Sequence, residues 1–433
     1  MKYSDMNIDQ LSTEKKYIQS KLDGYKKMDL DLAMSRGIPN TAIIEIAAKK
    51  FSKTDVYINR IGDDKTDLGT YNQGLIAGIS EARNLFSELL CVGVENIIVG
   101  GNSSLNLMFD MMAQLMLKGN CNSIRPWERE ESVKFICPVP GYDRHFGICE
   151  YLGIDMISVP LLEDGPDMDM VEKLANEDPT VKGIWCVPQY SNPSGITYSD
   201  EVVTRLAGMK TAAADFRIFW DNAYSVHHLF TGTCDSVSNI LEQCLRHGND
   251  NRVYIFASTS KVSMPGSGIS AIAASEENIS DILSRMKKQT IGYDKLNMLR
   301  HTRVFPNKDA ILEHMKEIAE VIAPNFNITL EILDKELSGK GIAEWSRPGG
   351  GYFINFNGME GTASRIVGLC ALHGVKLTPA GAPFPYKIDP RDSNIRIAPT
   401  FPSYEEMKKA AEIFAECVKL ASIEVLLGGN DEQ

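Results

Sequence analysis

Ser258-Thr259-Ser260-Lys261-Val262-Ser263-Met264-Pro265-Gly266-Ser267-Gly268 follows the apolar run Val253-Tyr254-Ile255-Phe256. The run reads as a buried strand. A lysine at the carboxyl end of such a strand, among hydroxyls and glycines, sits where open α/β sheets place their ligands. Burial there disfavours the ammonium form, lowers its pKa and leaves an amine able to attack a carbonyl. Taken by itself, Lys261 fits a plain surface lysine after a core strand better than a reactive one. The segments around it decide between the two.

Four upstream strands end in the same kind of turn. Residues 217–220 deliver Asp221-Asn222-Ala223-Tyr224, and a carboxylate directly after an apolar strand is costly to bury without a partner. Read alone, Asp221 also fits a helix cap. Residues 182–187 enter Pro188-Gln189-Tyr190-Ser191-Asn192-Pro193-Ser194-Gly195, where Asn192-Pro193 is a candidate cis bond. Residues 133–137 end in Pro138-Val139-Pro140-Gly141-Tyr142-Asp143-Arg144-His145, and Tyr142 is placed either to stack on a planar ligand or simply to pack. Residues 95–99 lead through Gly100-Gly101-Asn102-Ser103-Ser104 into an apolar helix reaching about Leu117. Glycines, hydroxyls and a helix start make either an anion site or a serine N-cap. Further strands are expected at 153–159 and 269–274.

Both ends of the chain add candidates. Residues 1–28 are polar and helix-prone, and read as a solvated first helix or an arm on a partner subunit. Leu30 to Pro39 is a short extended run entering a turn, where Arg36 offers a guanidinium and Gly37 a backbone N–H to a carboxylate. Asp67 to Tyr71 leads through Gly74 and Gly78 into a helix over 80–90. A helix over about 309–334 links to a C-terminal region with strands near 349–356 and 394–398. Arg396 interrupts apolar neighbours there, which asks for an anionic partner unless it faces water. The last six residues read as a loose tail.

With 433 residues the chain suits two domains, and 43% apolar with 24% charged residues is an ordinary globular profile. No segment has the length and apolarity of a membrane span or a signal-peptide core. A net charge of −12 argues against nucleic acid as the main partner. Nine dispersed cysteines, without metal-ligand spacing, are expected to be reduced in a cytoplasmic protein, and no metal site is expected.

Ser191-Asn192-Pro193-Ser194-Gly195, Asp221-Asn222-Ala223-Tyr224, Ser258-Thr259-Ser260-Lys261 and Asn394-Ile395-Arg396-Ile397-Ala398 occur together in the order found in fold-type I pyridoxal-phosphate aminotransferases, and the chain resembles that family. Ser35-Arg36-Gly37-Ile38-Pro39, the Pro138–Phe146 stretch and Asp294-Lys295-Leu296-Asn297-Met298-Leu299-Arg300-His301 resemble a bacterial subgroup of aspartate aminotransferases. The resemblance implies roles. Lys261 carries the cofactor and shuttles a proton at the substrate Cα, Asp221 pairs with the pyridine nitrogen, and Asn192 and Tyr224 bond the ring phenolate. Tyr142 stacks on the ring. Gly101, Asn102, Ser103, Ser104 and Ser258 hold the phosphate, with Tyr71 reaching across a homodimer interface. Arg396 and Gly37 bind the α-carboxylate. Many relatives carry a phosphate-binding arginine shortly after the lysine; here Gly266-Ser267-Gly268 places serine in that stretch.

The expected fold is α/β, with a mainly parallel seven-stranded sheet in a large domain over 51–305. A smaller α+β domain combines 1–50 with 306–433. The expected reaction is ping-pong transfer of an amino group from an L-amino acid, aspartate first, to 2-oxoglutarate. Aromatic donors, a lyase of the same fold and a cofactor-binding regulatory module are the alternatives. Arg36 is the candidate for a substrate's distal carboxylate, with Arg300, Arg303 and Lys295 as competitors.

Overall fold

The computed structural model describes residues 1–70, 74–230, 232 and 234–428. Strand β1 (Leu32–Ala33) comes first, and the main sheet then takes eight strands. They are β2 (Ile97–Val99), β3 (Lys134–Val139), β4 (Asp155–Leu162), β5 (Gly165–Pro166), β6 (Val181–Cys186), β7 (Arg217–Asp221), β8 (Val253–Ser258) and β9 (Ser270–Ala273). Their spatial order is β2-β9-β8-β7-β6-β3-β4-β5. The seven expected strands are all present, and the two-residue β5 adds an antiparallel edge. From β8 through β7, β6 and β3 to β4 every pair is parallel, while β9 runs antiparallel to both β8 and β2. Each parallel strand therefore ends at the same edge.

Both faces of this sheet are covered, so its strands read as nearly continuous apolar runs. The side chains still alternate. Ile218, Trp220, Ile255 and Ala257 pack into one hydrophobic cluster, and Phe219, Tyr254 and Phe256 into the other. Asp221 continues the Phe219 register one step past the last apolar residue, which puts a carboxylate at the sheet's carboxyl edge.

A second unit is built on an antiparallel sheet, β10 (Ala343–Trp345), β11 (Ile354–Gly358) and β13 (Asn394–Ile397), ordered β10-β11-β13. Between the last two lies β12 (Val375–Lys376), which pairs in parallel with β1. The helix Lys308–Leu337 runs along this unit beside the C-terminal helix Tyr404–Gly428. The first helix, Ile8–Lys26, is not simply solvated as expected. Leu11, Ile18 and Leu22 are buried against the C-terminal helix, and Lys21 pairs with Glu416 at 3.0 Å. An apolar residue every three or four positions is enough for one buried face in an otherwise polar helix. The helix at Ser80–Leu90 matches its expected bounds, and the C-terminal helix includes Gly428, the first residue of the expected loose tail, whose other five residues lie outside the described ones.

The amino end of β7 is held by ions. Asp215 accepts from Lys182 (2.9 Å), Ser123 (2.8 Å) and the indole N–H of Trp127 (2.9 Å), and both Asp215 and Lys182 are buried. Burial pushes the Asp215 carboxyl up, but the bonds from Lys182, Ser123 and Trp127 outweigh it and leave it below the usual value. A carboxyl lowered by folding stabilises the fold above the unfolded carboxylate pKa of about 4, and that support fades as pH falls below it. Asp215→Ala is expected to destabilise the protein by about 2–3 kcal/mol at neutral pH, because it leaves Lys182 only the longer pair with Glu130 (3.6 Å) and removes the acceptor of Ser123 and Trp127. In urea unfolding the gap to wild type should narrow as the pH drops from about 5 towards 3.

Candidate active site

Four parallel strands and β2 deliver the expected residues to one edge. Lys261 follows β8, Asp221 ends β7, Asn192 follows β6, and Tyr142 follows β3. The turn after β2 holds Gly101 and Asn102. Arg396 comes from β13 of the second unit, and Tyr352, just before β11, donates its hydroxyl to the Lys261 carbonyl at 3.3 Å.

Asp221 is buried to 3% exposure. One of its oxygens, Oδ2, lies 3.1 Å from Nε2 of His145, which is itself stacked on Trp185 at 4.3 Å between ring centroids. With the carboxylate ionised, that contact requires the hydrogen on Nε2. The other oxygen, Oδ1, is buried with no partner. An unsatisfied carboxylate oxygen in an apolar setting costs free energy unless a donor arrives.

Lys261 packs its ammonium over the Tyr224 ring at 4.8 Å. Burial lowers its pKa from the ordinary lysine value, and the Asp221 charge pulls the other way. Burial likewise raises the Tyr224 phenol well above its usual value, and pushes Tyr142 up to about 12, with Asp221 adding to both. His227, pushed down to about 3 by burial, stands neutral beside Tyr224 and Tyr352.

Arg396 is 9% exposed, and its guanidinium spans three acceptors. Nη1 donates to Asp143 Oδ1 (2.9 Å) and Asn192 Oδ1 (3.4 Å), and Nη2 to Thr378 Oγ1 (3.4 Å). The anionic partner its sequence context asks for is thus Asp143, 31% exposed and replaceable. The guanidinium lies 4.9 Å over Phe353, and Phe353 explains Gly37: a Cβ there would lie 2.1 Å from that ring. Arg36 is exposed over Phe401 (5.4 Å), with no acidic partner among the described residues. Arg303 pairs with Asp63 at 3.4 Å, and burial lowers the Lys295 amine.

At the β2 turn, Ser103 Oγ accepts from the Leu105 N–H and caps the helix Ser104–Lys118, and Ser104 is buried at its first position. Ser260 donates to the Asn102 carbonyl at 2.6 Å, and Ser270 to that of Gly101 at 2.8 Å, so this turn and the lysine loop form one structure. A cavity of about 350 Å³ opens beside them. Ser258 sits half-buried at the end of β8. Both Asn192-Pro193 and Val139-Pro140 are cis. Tyr71 lies outside the described residues. No cluster of metal-ligating side chains is found among the described residues. Another cavity, about 760 Å³ near Trp220 and Lys316, contains none of Lys261, Asp221 or Arg396. Sequence reasoning quoted Asp143 and His145 but assigned them nothing, and it missed Phe353 and Thr378, whose places depend on the second unit.

The sequence model described as aspartate amino-transferase matches residues 6–430. An aspartate aminotransferase of Corynebacterium glutamicum is 42% identical over 422 residues, covering 97% of this chain and 96% of its own. The crystal structure of an aspartate transaminase from the same species superposes with a TM-score of 0.94 at 41% identity, covering 98% of this chain and 99% of that one. At the level of fold alone, the α-aminoadipate aminotransferase LysN of Thermus thermophilus, solved with N-(5'-phosphopyridoxyl)-L-leucine, gives a TM-score of 0.71 at 18% identity, with 92% and 93% of the chains covered. The chain belongs to the aspartate aminotransferase family, and so to the pyridoxal-phosphate-dependent aminotransferases of fold type I.

Proposed function

We propose that this chain binds pyridoxal phosphate at Lys261 and moves the amino group of an L-amino acid, aspartate first, to 2-oxoglutarate in two half-reactions at one site. The observation that carries the reading is the bare Oδ1 of Asp221, buried at the sheet edge that also holds a desolvated lysine and an arginine already gripping a carboxylate. The residues present fit the cofactor. Asp221 Oδ1 suits a protonated ring nitrogen, Tyr142 a ring face, Asn192 and Tyr224 a phenolate oxygen, and Gly101, Asn102, Ser103, Ser104 and Ser258 a phosphate. When bound, pyridoxal phosphate supplies an electron sink for the substrate's Cα electrons. Lys261 is its attachment point and moves the proton at the substrate Cα. Arg396 exchanges Asp143 for the substrate α-carboxylate, with the Gly37 N–H beside it.

The same proposal includes a homodimer to which Tyr71 contributes across the interface, and a cytoplasmic setting, consistent with nine free cysteines. No helix among the described residues is long and apolar enough to cross a membrane. It also includes the division into 51–305 against 1–50 with 306–433, supported by an eight-stranded sheet lying wholly within 51–305 and two smaller sheets lying wholly outside it.

Lys261→Ala is expected to stop transamination while the protein remains folded, because its amine packs on one ring and makes no core. Borohydride treatment followed by mass analysis should find no cofactor fixed to the variant chain; cofactor trapped on another lysine would refute the assignment.

Asp143→Asn removes the carboxylate that competes for Arg396. Taking the pair at the upper end of the roughly 0.2–1 kcal/mol of ion pairs that reach solvent, since Asp143 is 31% exposed, KM should fall up to about 5-fold for every amino and oxo acid alike. A change confined to dicarboxylates would place Arg396 at the other end of the substrate.

For the distal carboxylate, Arg36 remains our candidate. Arg144 is the comparison, because it is exposed and its charge reaches Tyr142. With a panel of donors and 2-oxoglutarate, Arg36→Ala should depress aspartate turnover roughly 30-fold or more, as loss of one partner from a charge pair buried on substrate binding does, and spare alanine and phenylalanine. The same selective loss from Arg144→Ala alone would transfer the role. Preferred turnover of phenylalanine by the wild type would favour an aromatic donor.

A further inference from the structure

Resting on the cofactor reading above, we propose that Arg300 supplies the positive charge for the cofactor phosphate, reaching it from a helix rather than from the lysine loop. At Gly268, its tightest point, the loop leaves little room for any side chain. A Cβ at Gly268 would lie 3.1 Å from the Asn102 carbonyl oxygen and 3.1 Å from the Ser260 backbone nitrogen. That closeness joins the lysine loop to the β2 turn, whose free N–H groups and following helix start already favour an anion.

The charge arrives from the helix Lys295–Val304. Arg300 Nη2 donates to Ser267 Oγ at 2.8 Å and to Asn297 Oδ1 at 2.8 Å, and its guanidinium lies 5.3 Å over Phe51. The helix is clamped to the loop on both sides. Asn297 Nδ2 donates to the carbonyls of Ser267 (3.1 Å) and Gly268 (3.0 Å). His301 Nδ1 meets the Asn297 carbonyl at 2.8 Å, which leaves Nε2 to accept from Ser263 Oγ at 3.0 Å.

Arg300 borders the 350 Å³ cavity together with Gly101, Asn102 and Gly268. Two features mark it as waiting for an anion. Among the described residues it forms no ion pair, since its partners are neutral oxygens and an aromatic face. Its Nε is buried with no hydrogen-bond partner, an unsatisfied donor on a charged fork made for planar oxyanions. Asp294 is the acid at this cavity, and it caps its own helix by accepting from the Asn297 N–H. Ser267, in the stretch where many relatives carry an arginine, thus orients an arginine supplied from elsewhere in the chain. The contact with Ser267 favours this role over the distal substrate carboxylate, for which Arg300 is a competitor of Arg36.

The test compares pyridoxal phosphate with pyridoxal, which lacks the phosphate, by equilibrium titration of apoenzyme followed by absorbance. For Arg300→Gln the dissociation constant for pyridoxal phosphate should rise roughly 10- to 100-fold, the range for a lost hydrogen bond to a charged group, while that for pyridoxal stays within about 2-fold. Inorganic phosphate should compete with pyridoxal phosphate for wild type and much less for the variant. Placing the charge back on the loop, in the double variant S267R with R300S, should recover part of the affinity. Should Arg300→Gln fail to fold, Arg300→Lys, which keeps the charge and loses the fork, should show a smaller loss limited to the phosphorylated ligand. Equal weakening of both ligands, or none, would overturn the proposal and make Arg300 a structural clamp. Failure of wild-type apoenzyme to bind pyridoxal phosphate at all would instead overturn the cofactor reading on which it rests.

Discussion

A carboxylate buried at the end of a central strand is the constraint around which this molecule is arranged. Taking Asp221 out of water costs several kcal/mol unless it is paired. The fold meets that cost on one oxygen only, through His145. It then holds His145 by stacking it on Trp185, whose indole N–H points at Cys149 Sγ at 3.2 Å. At the other end of β7, the Asp215–Lys182–Trp127 network fixes where the strand starts. Both ends of a five-residue strand are therefore pinned by buried charge, and the unpaired oxygen has one place to point. Preorganisation of this kind keeps the electrostatic response from being spent on moving the protein.

The two arginines of the site are held in opposite ways, and the difference follows the residence of what each is proposed to bind. Arg396 has a carboxylate of its own, Asp143, which is partly exposed and easily exchanged. An arginine whose ligand comes and goes each turnover is kept neutralised between visits. Arg300 has only neutral acceptors and a ring face, so its full charge is left for a ligand that stays. The chain carries a net charge of −12, so the positive character of the pocket is local. It comes from few groups and from backbone N–H dipoles.

Much of this was legible in the sequence because buried parallel strands advertise themselves. Runs such as Val253 to Phe256 are apolar on both faces and stop at polar residues, and those stops are the site. Lys261, Asp221, Asn192 and Tyr142 each follow such a run and lie at one edge, while the roles expected of them come from the family resemblance. What stayed hidden depends on contacts between distant segments. Asp143 and Arg396 are 253 residues apart in sequence and meet only once the second unit docks. Arg300 and Ser267 are 33 apart and meet only because Asn297 and His301 seat one helix on the lysine loop. The first helix misled for a different reason: three buried positions in nineteen residues leave a segment that is polar by composition and amphipathic by placement. Tyr404–Gly428, buried at fourteen positions, has the opposite property, with so much apolar surface that its register cannot be guessed without its neighbours.

The lysine shows how these constraints act together. Its amine is pulled towards the neutral form by burial and towards the charged form by Asp221, while the Tyr224 ring face also favours a cation. Burial wins, so the Lys261 amine sits below its ordinary value although the residue keeps part of its surface exposed. Both units contribute to that burial: β8 and its loop on one side, and Tyr352, whose hydroxyl donates to the Lys261 carbonyl, on the other. Water admitted between them would return the amine to its ordinary value and screen Asp221 in the same moment. The seam between the units therefore bears on Lys261 and Asp221 jointly, because both lie at the sheet edge that Tyr352 of the second unit covers.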